Sequence, residues 1–273
     1  MNEKSVSLKQ ALGFLREPFD KNLPLKHLFI SRQIQYLFGQ LKHFLHRRGI
    51  AMITGEIGAG KSTAIRAFTE QLEKNSYDIA YISDPTVGIR GIFNATARQL
   101  NLEGGYFKWQ LQEKLKAAIE KNAYDFNKTT LLIIDEAQLL DTKTLEELRL
   151  FTNFKIDSQT PLNLVFLGQP DFIRTIYLNS MKALFQRINF RYHLTGLEKG
   201  EAASYISHHL KVAGRTDSIF TEEVIFEIFQ QAKGIPRMIN NLCYACLMEI
   251  YQNNSNLVDL PTLETVLLKW QMI

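Results

Sequence analysis

Apolar runs punctuate the first two-thirds of the chain: "GIAMIT", "DIAYIS", "TTLLIID" and "LNLVFLG" are nearly unbroken, while "INFRYHL" alternates and puts Ile188, Phe190, Tyr192 and Leu194 on one face. Between them lie segments with helical spacing. "LFISRQIQYLFGQLKHFLHRR" sets Ile34, Leu37, Leu41 and Leu45 along one stripe, and "KSTAIRAFTEQLEK", "IRGIFNATARQLNL" and "WQLQEKLKAAIEK" follow the same period. Apolar strands separated by helices predict an α/β fold, with a five-stranded parallel sheet covered on both faces. After Thr195 the strand signals stop. "EKGEAASYISHHLKVAG", "TEEVIFEIFQQAK", "PRMINNLCYACLMEIYQN" and "LPTLETVLLKW" all read as helix. The expected organisation is an α/β domain over residues 1–196, including an N-terminal segment at 11–33, and a smaller all-helical domain over 197–273.

Composition narrows this picture only a little. At 273 residues, 45% hydrophobic and 22% charged, the chain has the make-up of a soluble protein with one large and one small domain. A net charge of +4 is compatible with an acidic partner such as DNA without requiring one. No apolar run reaches the ~20 residues that span a bilayer. The opening "MNEKSVSLKQ" has no apolar stretch to make a secretion signal, so a cytoplasmic protein is expected. The two cysteines, Cys243 and Cys246, sit in an apolar helical segment with no second Cys/His pair at zinc spacing. They read as buried structural thiols.

Two motifs carry chemistry. "GEIGAGKS", Gly55 to Ser62, follows a strand and opens a helix. In that context glycines let successive amide N–H groups point at a phosphate, and the helix N-terminus adds positive character. The expected nucleotide contacts are Gly55, Ile57, Gly58, Ala59, Gly60, Lys61, Ser62 and Thr63. Lys61 would reach the β/γ-phosphates of ATP, and the Ser62 hydroxyl would ligate Mg2+. The second motif is "LLIIDEAQ". The apolar run Leu131 to Ile134 puts Asp135 at the carboxyl end of a buried strand, the ligand-binding edge of an α/β sheet. Asp135 would hold Mg2+ through water and Glu136 would polarise the attacking water, as in a Walker B motif. Gln138 carries little of this reading.

"DEAQ" has the look of a helicase motif. A helicase of that kind needs a second parallel-sheet domain and an arginine-rich motif, and neither is present in a helical continuation. The chain instead resembles the AAA+ ATPases. That resemblance implies Gln169, ending "LNLVFLGQ", as a sensor near the γ-phosphate. It implies Arg187 in "ALFQRINF" as an arginine finger entering a neighbouring subunit, with Arg191 a second candidate. In "GIPRMINNL" it implies Pro236 and Arg237 as a second sensor, and in "LFISR" it implies Phe29 and Ile30 as an adenine-packing segment. The alternatives are a surface salt bridge for Arg187 or Arg191, a capping proline with a solvent-facing arginine at Pro236 and Arg237, and a hydrophobic staple at Phe29 and Ile30.

The order and style of "LREPFDKNLPLKHLFISRQ", "TGEIGAGKST", "LLIIDEAQLL", "LEELRLFTNF", "LGQPDF", "LFQRINFRYHL" and "GIPRMINNLC" resemble the ExeA-like ATPases over residues 11–250. That family includes secretion and pilus ATPases and stand-alone TniB/IstB-like helpers of transposition. Neither a membrane span nor a cell-wall-binding region follows the ATPase here, which favours the stand-alone type. The resemblance then implies an ATP-dependent homo-oligomer on double-stranded DNA that assists a transposase. Arg90 in "DPTVGIRGIF" and Lys108 in "EGGYFKWQ" would touch the DNA backbone. An ExeA-type secretion or pilus-assembly ATPase, indifferent to DNA, is the alternative.

Overall fold

A computed structural model describes residues 7–21, 23–155 and 160–271. The chain divides into two compact units. One takes in residues 34–57 and 61–194, and the other takes in the stretch through Gln33, Gly58–Gly60 and Thr195 onward.

The α/β unit is built on five strands: β1 (Gly49–Gly55), β2 (Tyr77–Ile82), β3 (Thr129–Ile134), β4 (Leu162–Gly168) and β5 (Ile188–Leu194). All are parallel, in the order β2-β3-β4-β1-β5. This is the sheet the apolar runs predict. Every residue of β3 and β4 is buried, whereas the edge strands are partly exposed: β5 alternates along its length and β2 over Ala80–Ile82. Helices cover the sheet, all but the first of them crossovers between strands. They are α2 (Arg32–Arg47), α3 (Lys61–Thr69), α4 (Gly88–Gln99), α5 (Lys108–Asp125), α6 (Thr142–Phe151), α7 (Pro170–Ile176) and α8 (Lys182–Arg187). The stripe read from the sequence of α2 buries Leu37, Leu41 and Leu45, with Phe38 and Phe44 widening it. Phe44 packs on Phe190 of β5 with ring centroids 5.7 Å apart. A fully buried Leu, Ile or Phe of this kind contributes ~1.5–3 kcal/mol relative to exposure.

Edge strand β2 has an unusual partner. The side-chain amide of Gln99, at the end of α4, accepts from the Tyr81 N–H at 2.8 Å and donates to the Tyr81 carbonyl at 2.8 Å. One side chain thereby satisfies both outward backbone groups of Tyr81, as a neighbouring strand would.

The other unit has its own core. A short α1 (Leu8–Ala11) and the segment carrying Leu12, Phe14 and Phe19 share that core with α9 (Ala202–Val212), α10 (Glu222–Ala232), α11 (Pro236–Gln252) and α12 (Leu260–Gln271). Local signals start its helices: the Thr221 hydroxyl accepts from the Val224 N–H, and Pro236 takes the first turn of α11. Cys243 and Cys246 are buried here as free thiols, and burial pushes the Cys246 thiol up to about 12. His209 is also buried, stacked on Phe19 at 5.3 Å and 4.5 Å from Tyr205.

Candidate functional site

The phosphate loop runs from the end of β1 to the start of α3. Gly58 and Gly60 both hold left-handed backbone, at φ of 83° and 98°, where a side chain would be strained. Apart from its chain neighbours, no heavy atom lies within 4 Å of the point where a side chain at Gly60 would begin, so the loop stays open at that residue. Ala59 is buried and Ile57 exposed. Lys61 is only 8% exposed, and its Nζ donates to the carbonyls of Gly55 (2.7 Å) and Glu56 (3.0 Å). Ser62 and Thr63 sit on the solvent side of the first turn of α3.

Asp135 follows β3 directly, and its N–H continues the ladder to the Ile82 carbonyl at 2.9 Å. The residue is 5% exposed, and its carboxylate is held at both oxygens. Oδ1 accepts from the Glu136 N–H at 2.8 Å, and Oδ2 accepts from the Tyr81 hydroxyl. The Ser62 side chain lies near the same hydroxyl. Burial, and then the bond to Asp135, raises the Tyr81 phenol well above its ordinary value.

Glu136 has φ 51° and ψ 39°, left-handed backbone that is uncommon outside glycine and gathers at functional sites. Its Oε2 accepts from Gln138 Nε2 at 2.5 Å and from Gln169 Nε2 at 3.3 Å. The Gln169 N–H in turn donates to Gln138 Oε1 at 3.0 Å. Gln138, given little weight in the sequence, therefore ties the carboxylate of Glu136 to the residue after β4. Lys61, Ser62, Asp135, Glu136 and Gln169 all lie in the α/β unit at the carboxyl ends of its strands or the start of α3.

The remaining residues are placed as follows. Arg187 ends α8 and donates to the Arg149 carbonyl (3.4 Å), Thr152 Oγ1 (3.4 Å) and Asn153 Oδ1, so it is anchored on the last turn of α6. Arg191 donates to the Phe185 carbonyl at 2.7 Å, with its guanidinium 3.9 Å from that ring's centroid. Arg237, exposed in the first turn of α11, donates its backbone N–H to the Gly58 carbonyl at 3.3 Å, and Pro236 precedes it. Phe29 packs edge-on against Tyr205 (5.4 Å) and His208 (5.7 Å), and Ile30 is half-buried beside it in sequence. Arg90 is exposed, 5.0 Å from the Tyr106 ring centroid. Lys108 is paired with Glu147 at 2.8 Å.

Residues 43–176 match the AAA domain family. The chain is 30% identical over 252 residues to General secretion pathway protein A of Aeromonas hydrophila, a match covering 90% of this chain and 45% of that protein. It thus spans less than half the length of that curated relative. Solved structures share the fold. Cdc6p from Pyrobaculum aerophilum superposes with TM-score 0.65 at 18% identity, over 88% of this chain and 67% of that one. Drosophila ORC bound to DNA gives 0.69 at 15%, over 98% and 67%. Thermotoga maritima RuvB gives 0.58 at 18%, over 87% and 69%.

The donor set suits the nucleotide and its ion. A carboxylate and a hydroxyl are hard oxygen ligands of the kind Mg2+ takes alongside substrate phosphates, and Lys61 with the open glycine loop suits those phosphates. With its sheet order, its phosphate loop and the AAA domain matched at residues 43–176, the chain has the fold of an AAA+ ATPase that binds ATP with Mg2+, and it is similar to General secretion pathway protein A.

Proposed function

We propose that the chain is the ATP-driven switch of an export or pilus-type assembly machine, working as a homo-oligomer. The observation behind this choice is the 30% identity to a secretion-pathway protein across 90% of the chain. Lys61 would bind the β/γ-phosphates, with Ser62 and Asp135 holding Mg2+, which neutralises charge on the phosphate oxygens. Glu136 would orient and deprotonate the attacking water, for which its carboxylate must turn from the amides of Gln138 and Gln169. Gln169 would then be free to face the γ-phosphate. Arg237 would serve as the second sensor beside Pro236, and Phe29 with Ile30 would flank adenine. Arg187 would enter a neighbouring subunit's site, which requires leaving the end of α6. Arg191 is the other candidate for that role.

A second reading, a helper that assembles on double-stranded DNA beside a transposase, draws support from one surface feature. Arg90 lies against Tyr106, and Tyr106, Phe107 and Trp109 are all exposed, a combination suited to a nucleic-acid backbone and bases. Lys108, committed to Glu147, adds less. The deciding experiment measures ATP turnover and ATP-dependent sedimentation of the full chain with and without double-stranded DNA. Turnover and assembly indifferent to DNA support the export reading. DNA-stimulated turnover with co-sedimentation overturns it in favour of the second.

A further inference from the structure

The two residues assigned to the magnesium ion, Asp135 and Ser62, share a third group that the hydrolysis reading does not use. The Tyr81 hydroxyl donates to Asp135 Oδ2 and lies near the Ser62 side chain, so one group stands beside both. The other carboxylate oxygen of Asp135 is already fixed by the Glu136 N–H at 2.8 Å. One donor from the backbone and one from Tyr81 therefore set the plane of the carboxylate. Each oxygen keeps acceptor capacity for ion-bound water.

Tyr81 is itself held firmly enough for this task. It pairs in register with Ile133 of β3, one strand away from Asp135 in the sheet. On its outer side Gln99 binds both its N–H and its carbonyl at 2.8 Å. Strand alternation buries Ala80 and Ile82 on one face, and Tyr81 points to the other, where its hydroxyl reaches Asp135 near the start of α3.

We propose that Tyr81 is a positioning residue for the metal ion: it orients the Asp135 carboxylate, and through it the Ser62–Asp135 pair, for Mg2+ rather than for the nucleotide. This rests on the reading of that pair as the ion's protein ligands. Outer-shell partners of metal-binding carboxylates typically account for 10- to 100-fold in metal affinity. Tyr81 is 36% exposed, so water can partly replace its hydroxyl, and the effect belongs at about tenfold, the low end of that range.

The test uses the full chain and Tyr81→Phe, which keeps the ring and deletes the hydroxyl. Binding of a fluorescent ATP analogue is measured first in EDTA and then during a Mg2+ titration, with Mn2+ binding by electron paramagnetic resonance as a second reading of the ion. Expected are an unchanged affinity in EDTA, an unchanged thermal midpoint, and a Mg2+ midpoint raised about tenfold. A Mg2+ midpoint that stays the same or falls overturns the proposal. Equal losses with and without the ion also overturn it, because they make Tyr81 a support of the whole loop. If the parent chain binds no nucleotide in either condition, the phosphate-loop reading fails and takes this inference with it.

Discussion

His209 gives the helical unit a stability that depends on pH, and its size follows from its surroundings. The imidazole is buried, stacked on Phe19 and packed against Tyr205. Burial, with a smaller contribution from neighbouring His208, lowers its pKa from 6.5 to about 4. The unfolded chain therefore takes up a proton between pH 6.5 and 4 that the native unit refuses. Stability from this group is complete above the unfolded pKa and declines as pH falls through that window. With one pKa unit equal to about 1.4 kcal/mol, lowering the pH from 7.5 to 5.0 costs about 2 kcal/mol from His209 alone. The substitution His209→Phe keeps an aromatic ring against Phe19 and removes the titration. Of the two tryptophans, Trp109 lies in the α/β unit and Trp270 in α12, so urea unfolding followed by fluorescence in a Trp109→Phe background reports the helical unit. The parent should lose about 2 kcal/mol more than the His209→Phe variant between the two pH values. If both lose the same amount, the burial argument is wrong.

Two further outcomes concern hydrolysis. Glu136→Gln should retain ATP binding while turnover falls by about 100-fold or more, as expected for a general base; near-parental turnover in a steady-state phosphate-release assay would remove Glu136 from the reaction. Arg187→Ala should turn over normally only if the residue's sole task is bracing α6. If it acts in a neighbour's site, mixing the inactive Arg187→Ala and Lys61→Ala chains restores part of the activity, and no recovery on mixing counts against the trans role.

The sheet was legible in the sequence because burial on both faces writes itself as apolar runs, and β3 and β4 are buried at every position. The phosphate loop was legible because its glycines and Lys61 must be contiguous in the chain. The supporting contacts were not. Tyr81 and Asp135 are 54 positions apart, and on an alternating edge strand Tyr81 looks like an ordinary outward aromatic. Gln138 looked dispensable because its role depends on Gln169, 31 residues later, whose N–H it accepts. Arg187 reads as a cation preceding a strand, and nothing local announces the carbonyl and side chains of α6 that bind it. Phe29 shows the same limit: the rings it meets, Tyr205 and His208, arrive from α9. Contacts that join distant segments leave no periodic trace.

The Gln99 amide on β2 bears on how molecules of this kind meet. A parallel sheet has two open borders, and each offers unpaired N–H and carbonyl groups to any extended segment that passes, which is how sheets recruit foreign strands and aggregate. At Tyr81 that invitation is withdrawn, since both outward groups are occupied by one side chain fixed to a helix. An incoming strand would have to displace two bonds to gain two, with no net increase in pairing. The β2 border is therefore closed to accretion at Tyr81.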